Sequence, residues 1–177
     1  EAGFGADMGA ERFFNIKCRV SGITPDAAVV VATVRALKAH SGKYKVVAGR
    51  PLPPEMLAEN PDDVLAGAAN LRKQIENIRL HGVSPVVAIN AFPTDHPSEW
   101  AAIAEVAASA GARSAVCKHF SEGGAGAVEL AEAVAGAVSE VIGVWLHNND
   151  QPGNSIFTHG EDGGVPVGCV VVAGPFD

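Results

Sequence analysis

Five side chains suited to ligand binding stand together in the stretch PVVAINAFPTD, residues 85–95. Asn90 supplies an amide, Phe92 an aromatic ring, Thr94 a hydroxyl and Asp95 a carboxylate, and the ring of Pro93 fixes its backbone φ. The preceding residues 86–89 are uninterruptedly apolar, which is typical of a strand covered on both faces. Ligands of open α/β sheets bind just past the carboxyl ends of strands, so this turn is a candidate binding site. The alternative is an ordinary strand-to-helix turn with Asp95 as N-cap.

A second candidate is the glycine-rich loop in which Gly123, Gly124 and Gly126 precede an alanine-rich helix. Backbone N–H groups at such a junction bind phosphate or carboxylate, so Gly123 and Gly124, with Asn90 and Asp95, are a candidate nucleotide or anion loop. The loop has no Lys, and GxxxxGK[ST] occurs nowhere in the sequence. Packing and turn geometry are therefore the alternative explanation for these glycines.

Other polar groups give weaker signals. Arg35, Lys38 and His40 follow a predicted strand and could face an anion, although solvated side chains on a short helix are the commoner arrangement. His147, His159, Glu161 and Asp162 match no ligand spacing, so no metal site is predicted.

The opening glycines Gly3, Gly5 and Gly9 surround Phe4 in a loop that we expect to lack helix until about Gly9. Backbone in such a loop can approach a ligand or another strand closely. Simple turn formation is the alternative role for the glycines.

Composition and charge exclude several classes of protein. The 177 residues are 47% hydrophobic with a net charge of −7 and no basic run, which argues against disorder and against nucleic acid as a partner. The three cysteines form no CxxC pair, so neither a disulfide framework nor a zinc site is indicated and a cytoplasmic location is expected. No run approaches the ~20 apolar residues of a membrane span. Position 1 is not Met, from which we expect a trimmed or partial chain.

The elements that must position these residues alternate between strand and helix. Apolar runs predict strands at residues 27–33, 85–90 and 112–120. Asn60 and Pro61 begin a helix whose apolar stripe predicts one continuous segment to Gly82, with a solvated face that includes Gln74. A further helix is expected to end at Gly111. Strand, helix and strand form a right-handed βαβ unit, so the fold class is α/β with a mostly parallel sheet and flanking helices.

Several long strings in the same order resemble the formate–tetrahydrofolate ligase family. They are EAGFGADMGAERFFNIKCR at residues 1–19, VATVRALKAHSG at 31–42, the EN…L..G..NL.K.IEN pattern at 59–77, VVAINAFPTD at 86–95 and GGAGAVELA at 123–131. The resemblance covers residues 1–142. It implies a P-loop NTPase-like, incomplete fold in which residues 1–142 are part of the nucleotide- and folate-binding domain. Residues 143–177 are a divergent tail of unknown role.

The resemblance implies that ATP phosphorylates formate to formyl phosphate, which the N10 amine of tetrahydrofolate attacks to give 10-formyltetrahydrofolate. Phe92 matches a family aromatic that stacks on the ligand, with Pro93 beside it, and Phe120 stands where the family usually has Trp. We call the gap between the rings of Phe92 and Phe120 the pterin slot. Phe4 matches a family position near it. Each aromatic pair adds about 0.5–1.5 kcal/mol beyond buried area.

The implied substrates are formate, ATP with Mg²⁺, and tetrahydrofolate, with a monovalent cation as a further expectation and no tightly bound cofactor. A homo-oligomer is expected of the full-length protein. The family's phosphate loop and the basic residues that hold formyl phosphate lie outside these residues, so the chain alone is predicted to be inactive, and its catalytic residues are unknown. The alternative is a non-catalytic α/β segment used for structure or subunit contact.

Overall fold

The computed structural model describes residue 2 and residues 5–47, 49–148 and 169–173, and for 139–148 and 169–173 it describes the backbone alone. The elements in chain order are α1 (Ala6–Arg12), a π-helical segment (Phe13–Cys18), α2 (Arg19–Ser21), β1 (Ala27–Ala32), α3 (Val34–His40), α4 (Pro54–Leu57), α5 (Pro61–Ala66), α6 (Ala69–Leu80), β2 (Ser84–Asn90), α7 (Pro97–Ser109), β3 (Arg113–Cys117), α8 (His119–Glu122), a 3₁₀ segment (Gly123–Ala127), α9 (Val128–Asn148) and β4 (Cys169–Ala173).

The strands form a parallel sheet in the order β3-β2-β1-β4. Val29 pairs with Val86 and Val30 with Val87, so the two valine-rich runs lie side by side at its centre. β-branched residues suit such strands because their stiff side chains pack well on a pleated surface. The predicted α/β class is confirmed, and so is the βαβ unit, since β1 and β2 are adjacent and parallel.

Each face of the sheet packs against helices. Ala28, Val30 and Ile89 join the larger core with α1, α3, α6 and α7, whereas Ala27 and Val86 face α9 through Ala137. This alternation follows from the two-residue period of a strand, which sends successive side chains to opposite faces. Both faces are covered, as the unbroken apolar runs predicted.

The predicted continuous helix from Asn60 to Gly82 is wrong, because the chain forms α5 and then α6. A Cβ on Gly67 would lie 1.7 Å from the carbonyl oxygen of Leu37, so α3 passes against this glycine's backbone. The helix is interrupted at this point of close approach, where Gly67 has the non-helical angles φ −90° and ψ 4°. Gln74, expected on the solvated face, is 7% exposed. Gly82 ends α6 as predicted, with φ +76°.

The expectation that the opening loop lacks helix until Gly9 is also wrong, since α1 begins at Ala6. Ala6, Gly9 and Ala10 are buried, and Phe13 and Phe14 continue the same apolar face into the core. Burial of this face outweighs the low helix propensity of its glycine. Across the described ranges, no helix combines the length and the apolar character needed to cross a bilayer.

Candidate functional site

Three parallel strands end along one edge of the sheet, and each end leads into a segment with polar or aromatic side chains. β1 leads into α3, which carries Arg35, while β2 leads into the turn of Phe92. β3 leads into α8, which carries Phe120. Because Asn90 pairs with Cys117 in the sheet register, the segments after β2 and β3 leave from neighbouring points. The candidate site lies at this carboxyl edge.

The Phe92–Asp95 turn is closed by its own hydrogen bonds. The backbone N–H of Phe92 donates to Oδ2 of Asp95 at 2.9 Å, and the N–H of Asp95 donates to the carbonyl of Phe92 at 3.0 Å. The indole N–H of Trp100 also donates to Asp95 Oδ2, at 3.4 Å. Asp95 is therefore a turn-forming residue, and the alternative in which it is the N-cap is wrong, since His96 is the N-cap of α7.

Phe92 is half-buried, and one face of its ring is covered by Arg35. The guanidinium carbon of Arg35 lies 3.5 Å from the ring centroid, a close cation–π contact. Nε of Arg35 is buried and has no hydrogen-bond partner among the described residues. The ring therefore has one face closed by this chain. Sequence reasoning offered Arg35 only as a candidate anion contact and missed this stacking.

The other predicted members of the pterin slot are placed less tightly. Phe120 is 94% exposed, in the short helix that follows β3, and Pro93 is also exposed. Phe4 lies outside the described residues. Phe92 and Phe120 are not among the ring pairs in direct contact within the described part of the chain. Two rings that enclose a ligand do not touch each other, so the slot stays a prediction.

The glycine loop forms the 3₁₀ segment, and its glycines differ in surroundings. A Cβ on Gly123 or Gly124 would meet no atom within 4 Å, and Gly123 has φ +60°. A Cβ on Gly126 would lie 2.7 Å from the carbonyl group of Lys118, whose N–H donates to the Gly126 carbonyl at 2.8 Å. Packing and turn geometry account for Gly126 and Gly123. An anion cradle at Gly123 and Gly124 stays a prediction.

An open groove of about 710 Å³ lies between the sheet and α9 and reaches the same edge. Its wall is mostly apolar, and its polar members are Asn90, Cys117 and His119. Sγ of Cys117 lies 3.1 Å from Nδ1 of His119, which is two residues further along the chain. Asn90 was predicted as a site residue, whereas Cys117 and His119 were not. Cys117 and His119 are two residues apart at the end of the predicted strand 112–120, a spacing that puts both on one face, and this spacing could have identified them as a pair.

Lys38 faces an anion of the protein itself, the carboxylate of Glu99, and the alternative in which its side chain is solvated is wrong. It forms an ion pair with Glu99, and both side chains are 1% exposed. Nζ of Lys38 also donates to the carbonyls of Met56 at 3.0 Å and Ala58 at 2.7 Å. The pair therefore joins α3, α4 and the start of α7.

The acceptor side of this pair is equally satisfied. The N–H groups of Asn60 and His96 donate to the two carboxylate oxygens of Glu99, at 3.0 and 2.9 Å. Burial raises the pKa of Glu99, but the hydrogen bonds from Lys38 and the two backbone N–H groups outweigh it, and the net pKa is lowered. Glu99 lies in the first turn of α7, which directly follows the Phe92–Asp95 turn, so the pair anchors the start of the helix that leaves the candidate site.

A second polar cluster surrounds the buried Asp63. Its carboxylate accepts hydrogen bonds from Lys43 and Tyr44 and, at 2.9 Å, from Nδ2 of Asn60. The bonds from Lys43 and Tyr44 lower the pKa of Asp63 against the effect of burial. The bond to Asp63 raises the pKa of Tyr44 to about 12. This cluster fixes the loop after α3 to α5.

The described residues contain no group of three or more His, Cys, Asp or Glu side chains placed to hold a metal ion. We therefore assign no metal ligand among those residues. The side chains of His147, His159, Glu161 and Asp162 lie outside the described residues.

A family model described as formate–tetrahydrofolate ligase matches residues 1–152. A formate–tetrahydrofolate ligase of Saccharopolyspora erythraea is 81% identical over 140 residues, which are 79% of this chain and 25% of the relative. Formate–tetrahydrofolate ligase 3 of Rubrobacter xylanophilus is 75% identical over 140 residues, which are 79% of this chain and 24% of the relative. One from Cutibacterium acnes is 69% identical over 137 residues, covering 77% and 24%. The chain spans about a quarter of the length of these relatives.

Proposed function

The chain belongs to the formate–tetrahydrofolate ligase family, and we propose that it forms the folate-binding wall of such a ligase. Residues 1–142 supply part of the nucleotide- and folate-binding domain, and Phe92, Pro93, Phe120 and Phe4 contact the pterin. The observation that carries the proposal is the placement of Phe92, a half-buried ring at the end of a central strand. Its turn is locked by Asp95, so the ring is held before a ligand arrives.

Stacking supplies the physical basis of recognition. A planar pterin between two rings gains buried area and an offset-stacked contact on each face. Beyond the area term, each ring contributes about 0.5–1.5 kcal/mol, or about 2- to 10-fold in affinity. Phe120 in place of the family's usual Trp keeps a ring but offers less area and no indole N–H. We expect weaker binding than a Trp at this position would give.

The proposed reaction has two steps in the full-length protein. A formate oxygen attacks the γ-phosphorus of ATP, which releases ADP and leaves formyl phosphate. The N10 amine of tetrahydrofolate then attacks the formyl carbon, phosphate leaves, and the amine loses its proton. Mg²⁺ neutralises charge on the transferring phosphoryl group, and a monovalent cation, a homo-oligomeric assembly and a cytoplasmic location belong to the same proposal.

The isolated chain is proposed to be inactive. Stabilising a transferring phosphoryl group needs positioned cationic donors and a phosphate loop. The sequence has no GxxxxGK[ST] string, and no residue of this chain is assigned to phosphoryl transfer. The chain's own part is to hold and orient the pterin, which brings N10 to the formyl group.

The test compares the chain with a chimera in which its matched residues replace the corresponding segment of the Saccharopolyspora erythraea ligase. ADP release that depends on both formate and tetrahydrofolate is measured for each. We expect no turnover by the chain alone and turnover by the chimera. Enzyme-like turnover by the chain alone would contradict the proposed inactivity, and a chimera that binds no tetrahydrofolate while its parent does would contradict the folate assignment.

Two ring truncations sharpen the test. Phe120→Ala removes a side chain that is 94% exposed, so it should leave the unfolding midpoint unchanged while it raises the Kd for tetrahydrofolate. Phe92→Ala should raise that Kd at least as much, with some loss of stability because its ring is half-buried. Leu80→Ala is the matched control, since Leu80 is an exposed apolar residue at the end of α6. Unchanged affinity in both phenylalanine variants would remove the slot from the site.

One observation favours a second candidate, a subunit-contact segment. Ile16, Val20 and Ile23 are exposed apolar residues on and just after the first helical segments. Ile16 and Val20 lie four residues apart in the helical segments, on one side of their surface, and Ile23 follows Gly22, which ends α2. If the chain has this role alone, Phe92→Ala and wild type will be equally unable to bind tetrahydrofolate, and Val20→Asp will change the oligomeric state measured by light scattering.

A further inference from the structure

Arg35 has a position that its own helix does not favour. It lies in the first turn of α3, at the positive end of the helix dipole, where a cationic side chain is mildly destabilising. Its Nε is buried without a hydrogen-bond partner in the described part of the chain, which costs further free energy. The contact of its guanidinium with the ring of Phe92 offsets part of these costs. A group kept at such a cost is a candidate for a role beyond packing.

The geometry of the contact restricts Phe92. With the guanidinium carbon 3.5 Å from the ring centroid, the cation lies directly on one face of the ring. A planar ligand cannot occupy that face. The backbone N–H of Phe92 is held by Asp95 at 2.9 Å, so the main chain is fixed as well. Ring and backbone are thus both held, and a stacked ligand has to use the face opposite Arg35.

We propose that Arg35 is a positioning residue of the pterin slot: its guanidinium closes one face of Phe92 and holds the ring so that only the opposite face accepts the pterin. This inference rests on the proposed folate-binding function. Arg35 acts through Phe92 and not by contact with the anionic glutamate part of the substrate. It therefore affects any reduced pterin equally, whether or not the ligand carries the glutamate tail.

The first test is a titration of the chimera and of the 177-residue chain with tetrahydrofolate and, separately, with tetrahydropterin, which lacks the glutamate tail. Arg35→Met removes the cation and keeps a long apolar side chain. We expect it to weaken both ligands by the same factor, about 2- to 30-fold, the range of a partly desolvated cation–π contact. Arg72→Met is the matched control, since Arg72 is exposed on α6 and its loss changes the net charge equally.

A double-variant cycle separates positioning from direct contact. On a Phe92→Leu background, Arg35→Met should cause no further loss of affinity, because the ring through which it acts is gone. In the chimera, the KM for tetrahydrofolate should rise by the binding factor while kcat stays near its starting value, since ground-state and transition-state binding are lost together. The KM for ATP should not change.

Each result decides between the alternatives. Equal loss in the wild-type and Phe92→Leu backgrounds, loss for tetrahydrofolate alone, or no loss at all would overturn the inference and leave the folate-binding function standing. If the unsubstituted chain and chimera bind neither ligand, the proposed function fails and the inference fails with it. A fall in the unfolding midpoint without a change in Kd would reduce Arg35 to a structural residue.

Discussion

Replacing Lys38 with methionine removes one partner of a buried ion pair that joins three segments. The side chains of Lys38 and Glu99 are each 1% exposed, so water cannot compensate for the loss. The substitution leaves the carboxylate of Glu99 buried without its cation and takes a donor from the carbonyls of Met56 and Ala58. Breaking a buried pair in this way costs about 3–5 kcal/mol. The free energy of unfolding of a typical domain is only about 5–15 kcal/mol, so this substitution should remove a large part of the stability.

Urea unfolding followed by circular dichroism at pH 7 measures the effect as a fall in midpoint at constant slope. Lys73→Met is the matched control, because Lys73 pairs with Glu76 on the surface of α6 and both side chains are 59% exposed. Its expected cost is below about 1 kcal/mol. The double variant Lys38→Met/Glu99→Leu should regain only part of the loss, since the N–H groups of Asn60 and His96 then lose their acceptor.

The pH dependence gives an independent check. The pKa of Glu99 is lowered in the folded chain, so its stabilisation is present above the unfolded pKa of about 4.3 and is lost as pH falls through the folded pKa. Without Lys38, burial raises this pKa with less to oppose it, and acid should then destabilise the variant less than wild type. Two results would refute the reasoning. One is a loss of unfolding free energy in Lys38→Met no larger than in Lys73→Met, and the other is a stability that falls with acid as steeply as in wild type.

Two further predictions concern the elements around the site. Spectrophotometric titration of Tyr44, the single tyrosine of the chain, should give a pKa of about 12, and Asp63→Asn should return this pKa towards about 10. Because the folded-state pKa is raised, the stabilisation from the neutral phenol is full below the unfolded-state pKa and is lost as pH rises through the folded-state pKa. A wild-type pKa near 10 would show that the hydrogen bond to Asp63 is absent. Gly67→Ala places a Cβ 1.7 Å from the Leu37 carbonyl oxygen and should lower the free energy of unfolding in urea by about 1–3 kcal/mol or more. Gly124→Ala, with open space around its Cβ, should leave that free energy nearly unchanged. Equal stability of the two variants would contradict the close approach of α3 to α5.

Much of the architecture follows from local pattern. Runs such as residues 27–33 and 86–89 are apolar without interruption, which a chain satisfies by forming strands covered on both faces. The Phe92–Asp95 turn was also readable, because Pro and Asp act on their own neighbouring backbone. Gly82 and Gly111 end helices at positive φ, a conformation that glycine adopts without strain.

Local pattern was misleading where a distant segment approaches. The apolar stripe of residues 64–78 has helical spacing throughout, yet the backbone of α3 meets Gly67 and divides the helix. Gln74 has the composition of a surface residue but is covered in the packed chain. Periodicity reports which face of a helix is apolar and carries no information about what packs against that face.

Local residue patterns were enough to predict the fold class, the βαβ unit, the family resemblance and the turn that carries Phe92. The burial of Lys38 against Glu99 and the contact of Arg35 with the ring of Phe92 arise only when the elements pack together. In both pairs the partner is far away along the chain, so no local pattern reports the contact. A side chain's charge is written in the sequence, but whether that charge meets water, a carboxylate or an aromatic face depends on how the elements pack.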